Sequence, residues 1–270
     1  MEAVRSYRYH VEYLTQQYSM TEQKLWFAST IVGLVMCRIA YGITKLTSLL
    51  YFKGYAKLTK MEQIEWNNRG FSTIHAIVVS AASIYLLFIS DLFYNNDQDE
   101  PIILRSSFLS NFILGVSVGY FLSDLAMIFW HYPSLGGKEY ILHHGFSMTA
   151  IGVSLYSSEA QIYVYMILLS EITTPFVNAR WYLDLAGLKR SKAYLINGIA
   201  LFFGWLVARI ILFIFYFAHV HLHYDEVTKV KPATFYCLFT VPSLLTFMNV
   251  YWFWRIARGC TKTLSKRQDD

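Results

Sequence analysis

The sequence predicts an all-α, multi-pass membrane protein with seven transmembrane helices. Hydrophobic residues make up 55 % of the 270 residues and charged residues only 15 %, whereas a soluble domain carries about 25 % charged residues. The apolar residues are also gathered into runs close to the length of about 20 residues that crosses a bilayer as a helix. This composition excludes a disordered chain, a collagen-like repeat and a disulfide-stapled scaffold.

Each predicted helix corresponds to one apolar run. The approximate limits are 25–43, 72–92, 109–130, 140–156, 160–180, 194–218 and 234–256. The first run, LWFASTIVGLVMCRIAYGI, follows a polar, tyrosine-rich segment without a basic n-region, so we interpret it as an uncleaved anchor. The fourth run, YILHHGFSMTAIGVSLY, is the shortest and on its own would be typical of a buried core helix.

The distribution of Lys and Arg predicts the orientation in the membrane. Cations concentrate in the C-terminal tail and in loops 44–71, 131–139 and 180–193. These regions are expected to be cytosolic, which places the N-terminus in the lumen and the C-terminus in the cytosol. The net charge of +5 is spread along the chain, so we expect no nucleic-acid partner.

The fifth run carries polar residues on one helix face. Glu171, Thr174 and Asn178 follow i, i+3, i+7 spacing and so point the same way. Pro175 removes a backbone hydrogen bond and should loosen or kink the helix beside Glu171. Ionisable groups at membrane depth are costly and usually face the bundle interior.

The third run repeats this spacing with Ser117, Tyr120 and Asp124. We therefore expect the polar stripes of the third and fifth runs to face one cavity. Trp181 and Arg209 complete the predicted substrate and cavity residues, which also include Tyr120, Thr174 and Asn178.

The adjacent pair His143 and His144 provides the candidate catalytic groups. A neutral imidazole can act as general base or acid, or as an acyl-carrying nucleophile. Asp124 or Glu171 could fix its tautomer and stabilise the imidazolium. Two histidines that only form hydrogen bonds between helices would explain the same pattern without chemistry.

Two arginines inside the apolar runs allow a simpler interpretation of the carboxylates. Asp124 and Glu171 could form structural ion pairs with Arg38 or Arg209. A di-iron centre needs several clustered histidine boxes, whereas this chain has one HH pair, with His131 twelve residues before it. We therefore expect no metal site.

Four segments together resemble the TLC-domain family, whose name joins translocation-associated, longevity-assurance and neuronal-lipofuscinosis proteins. They are GYFLSDLAMIFW (119–130), YILHHGFSM (140–148), SEITTPFVNARWYL (170–183) and WLVARIILF (205–213). The resemblance implies a TLC domain over residues 65–258, in which six helices form a bundle around a lipid-sized cavity. The remaining parts are then a lumenal segment (1–24), the first helix with its basic loop (25–64) and a basic tail (259–270).

Ceramide synthases in this family join an acyl group from acyl-CoA to a sphingoid amine, and His143 and His144 match their essential histidine pair. The resemblance then breaks, because ceramide synthases carry two aspartates where this chain has Glu171 and Thr174. The PFVNARW continuation instead resembles TLC-domain-containing proteins linked to membrane lipid composition.

Two classes of function follow for a protein of the endoplasmic reticulum that acts in lipid homeostasis. The first is an acyltransferase for a lipid or amine acceptor, with acyl-CoA as co-substrate and no tightly bound cofactor. The second is a non-catalytic lipid-binding, sensing or trafficking protein. Membrane lipids are the expected partners in both classes, and a homo-oligomer remains open.

Overall fold

Within residues 22–94 and 100–268, which the computed structural model describes, all regular secondary structure is helical. The helices are α1 (Glu22–Tyr51), α2 (Lys60–Ile84), α3 (Phe108–Trp130), α4 (Lys138–Ser157), α5 (Gln161–Leu169), α6 (Thr174–Leu185), α7 (Lys192–Trp205), α8 (Leu212–Leu222), α9 (Tyr224–Val227) and α10 (Pro232–Gln268). The predicted lumenal segment up to residue 21 lies outside the described residues. The predicted basic tail continues α10 as far as Gln268.

Six stretches of the described chain are long and apolar enough to cross a membrane, so the protein is a multi-pass membrane protein. They are Lys24–Tyr51, Lys60–Ile89, Phe108–Trp130, Gln161–Leu185, Lys192–Leu222 and Pro232–Thr261. The predicted fourth span forms the 20-residue helix α4 but is not among them. Its terminal Lys138 and Glu139, its two histidines and its serines lower its hydropathy.

Helix α4 lies between α3 and α10 and reaches both ends of the bundle. Near its first turns, His144 lies beside Asp124 in the last part of α3. Past its last turn, the Ala160 amide donates to the Ile103 carbonyl just before α3 begins (2.6 Å). The Lys231 amide, just before α10, donates to Glu159 (3.1 Å). The chain thus runs back along α3 for the full length of the bundle.

Besides the π-helical segment that follows α2 (Tyr85–Ile89), two helical stretches change their winding within the bundle. As predicted, the α-helix is disturbed beside Glu171: a 3-10 turn over Ser170–Thr173 separates α5 from α6, and Pro175 lies in the first turn of α6. A π-helical segment, Leu206–Ile211, joins α7 to α8 and carries Arg209. Both irregular segments bring polar side chains to the same interior region.

Helix α1 packs very closely against α3 through small residues. A methyl group placed on Gly119 would overlap backbone atoms of Thr30 and Leu34, and one placed on Gly33 would overlap the Val116 carbonyl. In a bilayer, such small residues let backbones approach and gain dispersion contacts. The first helix is therefore tightly bound to the rest of the bundle.

Candidate functional site

A cavity of about 460 Å³ opens at one end of the bundle. Helices α2, α3, α4, α6, α7 and α10 contribute to its walls. All nine sequence-predicted site residues line it: Tyr120, Asp124, His143, His144, Glu171, Thr174, Asn178, Trp181 and Arg209. The residues come from five segments of the chain, so the cavity exists only in the folded bundle.

His144 lies against a buried carboxylate on α3. Its Nδ1 atom is 3.1 Å from Oδ2 of Asp124, at ion-pair distance but without the angle of a hydrogen bond. The other carboxylate oxygen, Oδ1, accepts a 2.7 Å hydrogen bond from the Asn68 side chain. The arrangement leaves His144 Nε2 as the ring nitrogen for chemistry with a bound molecule.

Asn68 is a site residue that the sequence interpretation missed. It lines the cavity from the first turns of α2. A signal for it was present, because Glu65, Asn68, Arg69 and Ser72 follow the spacing of one helix face just before the second apolar run. All four line the cavity.

His143 borders the same cavity on its other side. The His143 and His144 rings are 5.5 Å apart at their centroids, and the His143 ring meets Trp252 of α10 edge-on at 5.4 Å. His143 Nδ1 is buried and has no hydrogen-bond partner among the described residues. Adjacent residues on a helix point about 100° apart, and the cavity is wide enough for both rings to reach it.

Glu171 forms a buried ion pair with Arg209. The Glu171 Oε1 atom accepts from Arg209 Nη2 at 3.2 Å, and Oε2 accepts from Thr174 Oγ1 at 2.6 Å. Arg209 Nε donates to Thr173 Oγ1 at 2.8 Å, and the guanidinium lies over the Trp205 ring. Of the ion pairs predicted as alternatives, the structure therefore shows Glu171 with Arg209.

Asn178 lines the cavity, but its amide ties α6 to α2. Its Nδ2 atom lies within hydrogen-bond distance of the Arg69 carbonyl, Ser72 Oγ and Thr73 Oγ1, at 2.8–3.1 Å. Its Oδ1 accepts from Arg69 Nη1 at 3.1 Å. The sequence analysis places Asn178 among the cavity residues; its amide donors are used on α2, because Arg69, Ser72 and Thr73 lie directly opposite.

Tyr120 stacks on a buried histidine outside the predicted set. The rings of Tyr120 and His75 are 3.7 Å apart and nearly parallel, with 7° between their planes. His75 Nε2 lies 3.3 Å from Ser117 Oγ. Ser117 was expected to face the cavity with Tyr120 and Asp124, but it points to His75 and is not among the lining residues.

The mouth of the cavity carries charges of both signs beside aromatic rings. Arg69 lies 4.7 Å above the Trp181 ring and is paired with Glu65. Arg180 stacks on Tyr194 at 4.1 Å. The other charged lining residues at this end are Glu139, Asp184 and Arg255.

Beyond His143 the bundle interior becomes apolar and narrow. A void of about 10 Å³ adjoins the cavity and shares His143, Phe121 and the Glu171–Arg209 pair with its walls. A second void of about 20 Å³ follows, and Val164 and Ile167 line both voids. The interior beyond the polar cavity is therefore packed, with two small apolar voids that share Val164 and Ile167 as lining residues.

Comparison with known proteins identifies the family. The sequence model of the TLC domain matches residues 65–258. The chain belongs to the TLC-domain family. Every candidate site residue falls inside the matched region, whereas all of α1 and the loop that follows it lie before it.

Several TLC-domain proteins are similar to this chain over most of its length. TLC domain-containing protein 4-B of Xenopus laevis is 30 % identical over 217 residues, 79 % of this chain and 81 % of the relative. TLC domain-containing protein 4 of Homo sapiens is 31 % identical over 215 residues, 78 % and 80 % of the two chains. The Saccharomyces cerevisiae protein named Topoisomerase I damage affected protein 4 is 26 % identical over 244 residues, 86 % and 83 %. The resemblance to TLC-domain-containing proteins is confirmed.

Proposed function

We propose that this TLC-domain protein transfers a fatty acyl group from acyl-CoA to a lipid or amine acceptor and thereby acts in lipid homeostasis. One observation carries the proposal: two histidines border a single cavity, and one of them lies 3.1 Å from a buried aspartate. A carboxylate beside an imidazole stabilises the imidazolium that forms when it accepts a proton.

In the proposed reaction, His144 is the general base. Neutral His144 takes a proton through Nε2 from the N–H or O–H of the acceptor, which attacks the thioester carbonyl carbon. The carbon–sulfur bond breaks, an amide or ester forms, and the departing CoA thiolate receives the proton from the imidazolium. Asp124 offsets the positive charge that His144 carries between these two proton transfers.

In a second form of the proposed reaction, the carrier variant, His143 holds the acyl group covalently. A His143 nitrogen would attack the thioester, release CoA thiolate and hold the acyl group as an acyl-imidazole until the acceptor removes it. Its position supports this variant, because it borders both the wide cavity and the apolar void behind it. An acyl-sized mass gain on the protein would distinguish the carrier variant from direct transfer.

The shape of the interior suits the proposed substrates. A volume of about 460 Å³ falls within the range of about 300–1,000 Å³ typical of small-molecule sites. The cavity itself would hold the thioester and the first carbons of the acyl chain, and Arg180 and Arg255 at the mouth would attract the phosphates of CoA. The reacting carbonyl would then lie beside the histidines.

The proposed topology has seven crossings in the endoplasmic reticulum membrane. With a rise of about 1.5 Å per residue, a helix of α4's length spans about 30 Å, the thickness of the hydrocarbon core. Counting α4 as a span places the N-terminus in the lumen and the C-terminus in the cytosol, by the distribution of Lys and Arg. The cavity mouth then faces the cytosol, where acyl-CoA is available.

A non-catalytic lipid binder or sensor is the second candidate. It is favoured by the environment of Glu171, whose two carboxylate oxygens are taken by Arg209 and Thr174. This carboxylate orients neither histidine, so the cavity holds one histidine–carboxylate contact and not two.

An assay with labelled substrate separates the two candidates. The purified protein is incubated with deuterated palmitoyl-CoA and a membrane lipid extract, and the lipids are analysed by mass spectrometry. The enzyme proposal expects deuterated acyl groups in a lipid or amide product, formed by wild type and not by His144→Ala. Lipid that stays bound and unmodified, with no labelled product in either protein, would support the binder.

A further inference from the structure

A second cavity lies on the outside of the bundle, between α1, α2 and α3. It has a volume of about 430 Å³ and shares no lining residue with the central cavity. We call it the outer groove and define it by Leu34, Arg38, Tyr41, Ile64, Met127 and His131. Leu34 and Arg38 are exposed on α1, so the groove is open on the side that faces lipid.

Arg38 is a cation that meets no anion in the described part of the chain. It lies past the middle of α1, within the membrane span Lys24–Tyr51. Within residues 22–94 and 100–268, its side chain forms no hydrogen bond, ion pair or ring contact. Its predicted partner Asp124 contacts His144 and Asn68 instead. A charged side chain at membrane depth normally has a partner, so the structure leaves an anion to be supplied from outside the protein.

The hydrogen-bond donors in the outer groove and next to it form a line toward one end of the bundle. Arg38, Tyr41 and Lys45 follow i, i+3, i+7 spacing on α1 and share one face. His131 caps the C-terminal end of α3 and lines the same groove. Leu34, Ile64 and Met127 supply apolar surface beside this polar line.

We propose that the outer groove binds one anionic phospholipid, with its phosphate on Arg38. The planar guanidinium donates two parallel hydrogen bonds to phosphate oxygens, and Tyr41 and His131 are available to bind the rest of the headgroup. The glycerol and the upper acyl chains would lie along Leu34, one turn from Arg38 on the side away from Lys45. A charged headgroup is favoured over a zwitterionic one because Lys45 adds a second cation on the same face.

The site is independent of the proposed acyl transfer. The outer groove is separated from His143 and His144 by α3, and none of its residues takes part in the proposed reaction. A bound phospholipid here would act on the contact between α1 and the TLC domain, since Arg38 lies on α1 and His131 at the end of α3.

Native mass spectrometry of the delipidated full chain tests this proposal. Three proteins are compared: wild type, Arg38→Gln and the matched control Arg258→Gln, which changes an arginine on α10. Each is mixed with equal amounts of phosphatidylserine and phosphatidylcholine. We expect wild type and Arg258→Gln to hold one phosphatidylserine at least ten times more tightly than phosphatidylcholine. Arg38→Gln should lose at least tenfold in phosphatidylserine binding. Equal binding of the two lipids by wild type, or unchanged binding by Arg38→Gln, overturns the proposal.

A second variant fills the groove without altering a charge. Leu34 is exposed, so Leu34→Trp is compatible with folding and should also reduce phosphatidylserine binding at least tenfold. Circular dichroism of each variant without lipid checks that the helices are intact. Inorganic phosphate and oleate serve as competitors at equal concentration. Displacement of the lipid by phosphate would assign the site to a free anion, and displacement by oleate would assign it to a carboxylate; either result contradicts a phospholipid site.

Discussion

Asp124 is held between Asn68 and His144: Asn68 Nδ2 donates to its Oδ1 at 2.7 Å, and His144 Nδ1 lies 3.1 Å from its Oδ2. The three residues come from three helices, α2, α3 and α4. A hydrogen-bonded carboxylate keeps its orientation while the imidazole beside it gains and loses a proton. Asn68 is therefore a positioning residue for the proposed base.

Replacing Asn68 by Ala should slow the reaction without weakening substrate binding. Asp124 would keep its charge but lose the donor that fixes its orientation. We therefore expect kcat to fall about 10- to 100-fold, approaching the loss of rate caused by removing a general base, with little change in KM. Asn68→Ser, which retains a short donor, should recover part of the rate. Asn197→Ala removes an amide that donates to the Phe176 carbonyl on α6 and serves as the control. Equal loss of rate in both alanine variants would contradict a positioning role.

Removing one partner of the Glu171–Arg209 pair should destabilise the bundle. Both side chains are buried, and Glu171→Gln would leave the guanidinium without its anion, at a cost of about 3–5 kcal/mol. The double variant Glu171→Gln, Arg209→Met should be more stable than Glu171→Gln alone, because no uncompensated charge remains. Thermal unfolding in detergent measures both. If Glu171→Gln is as stable as wild type, the Glu171–Arg209 pair contributes little to the stability of the bundle.

The close approach of α1 to α3 makes Gly119 sensitive to substitution. A Cβ atom there would overlap Thr30 and Leu34 backbone atoms, so Gly119→Ala should lower stability by about 1–3 kcal/mol through overpacking. Gly152 is the matched control, since a Cβ on it meets nothing within 4 Å and alanine favours the helix. The prediction fails when both alanine variants unfold at the wild-type temperature.

Much of the fold was predictable because the bilayer restricts the choices. Apolar runs of span length can only be helices in lipid, and Pro175 marks the break between α5 and α6. The nine candidate residues lie on one cavity for a similar reason: ionisable and polar groups at membrane depth, such as Asp124 and Glu171, are forced toward the interior.

What the sequence could not provide was the pairing of these groups. Asn178 donates to α2 and Ser117 faces His75 because of how the helices are rotated against each other, which spacing along one helix does not determine. The π-helical segment Leu206–Ile211 contains no Pro or Gly from which it could be predicted. Helix α4 falls below the hydropathy of a span because His143 and His144, the candidate catalytic groups, lie within it.

The most direct test of the proposed acyl transfer is the rate of CoA thiol release by purified protein given long-chain acyl-CoA and a lipid acceptor. The comparison sets wild type beside His144→Ala and His221→Ala, the latter an exposed histidine at the far end of α8. We predict steady release by wild type and His221→Ala and at least a 100-fold lower rate in His144→Ala, the size expected when a general base is lost. Release by folded His144→Ala at the wild-type rate would contradict the assignment of this cavity as a histidine-dependent acyltransferase site.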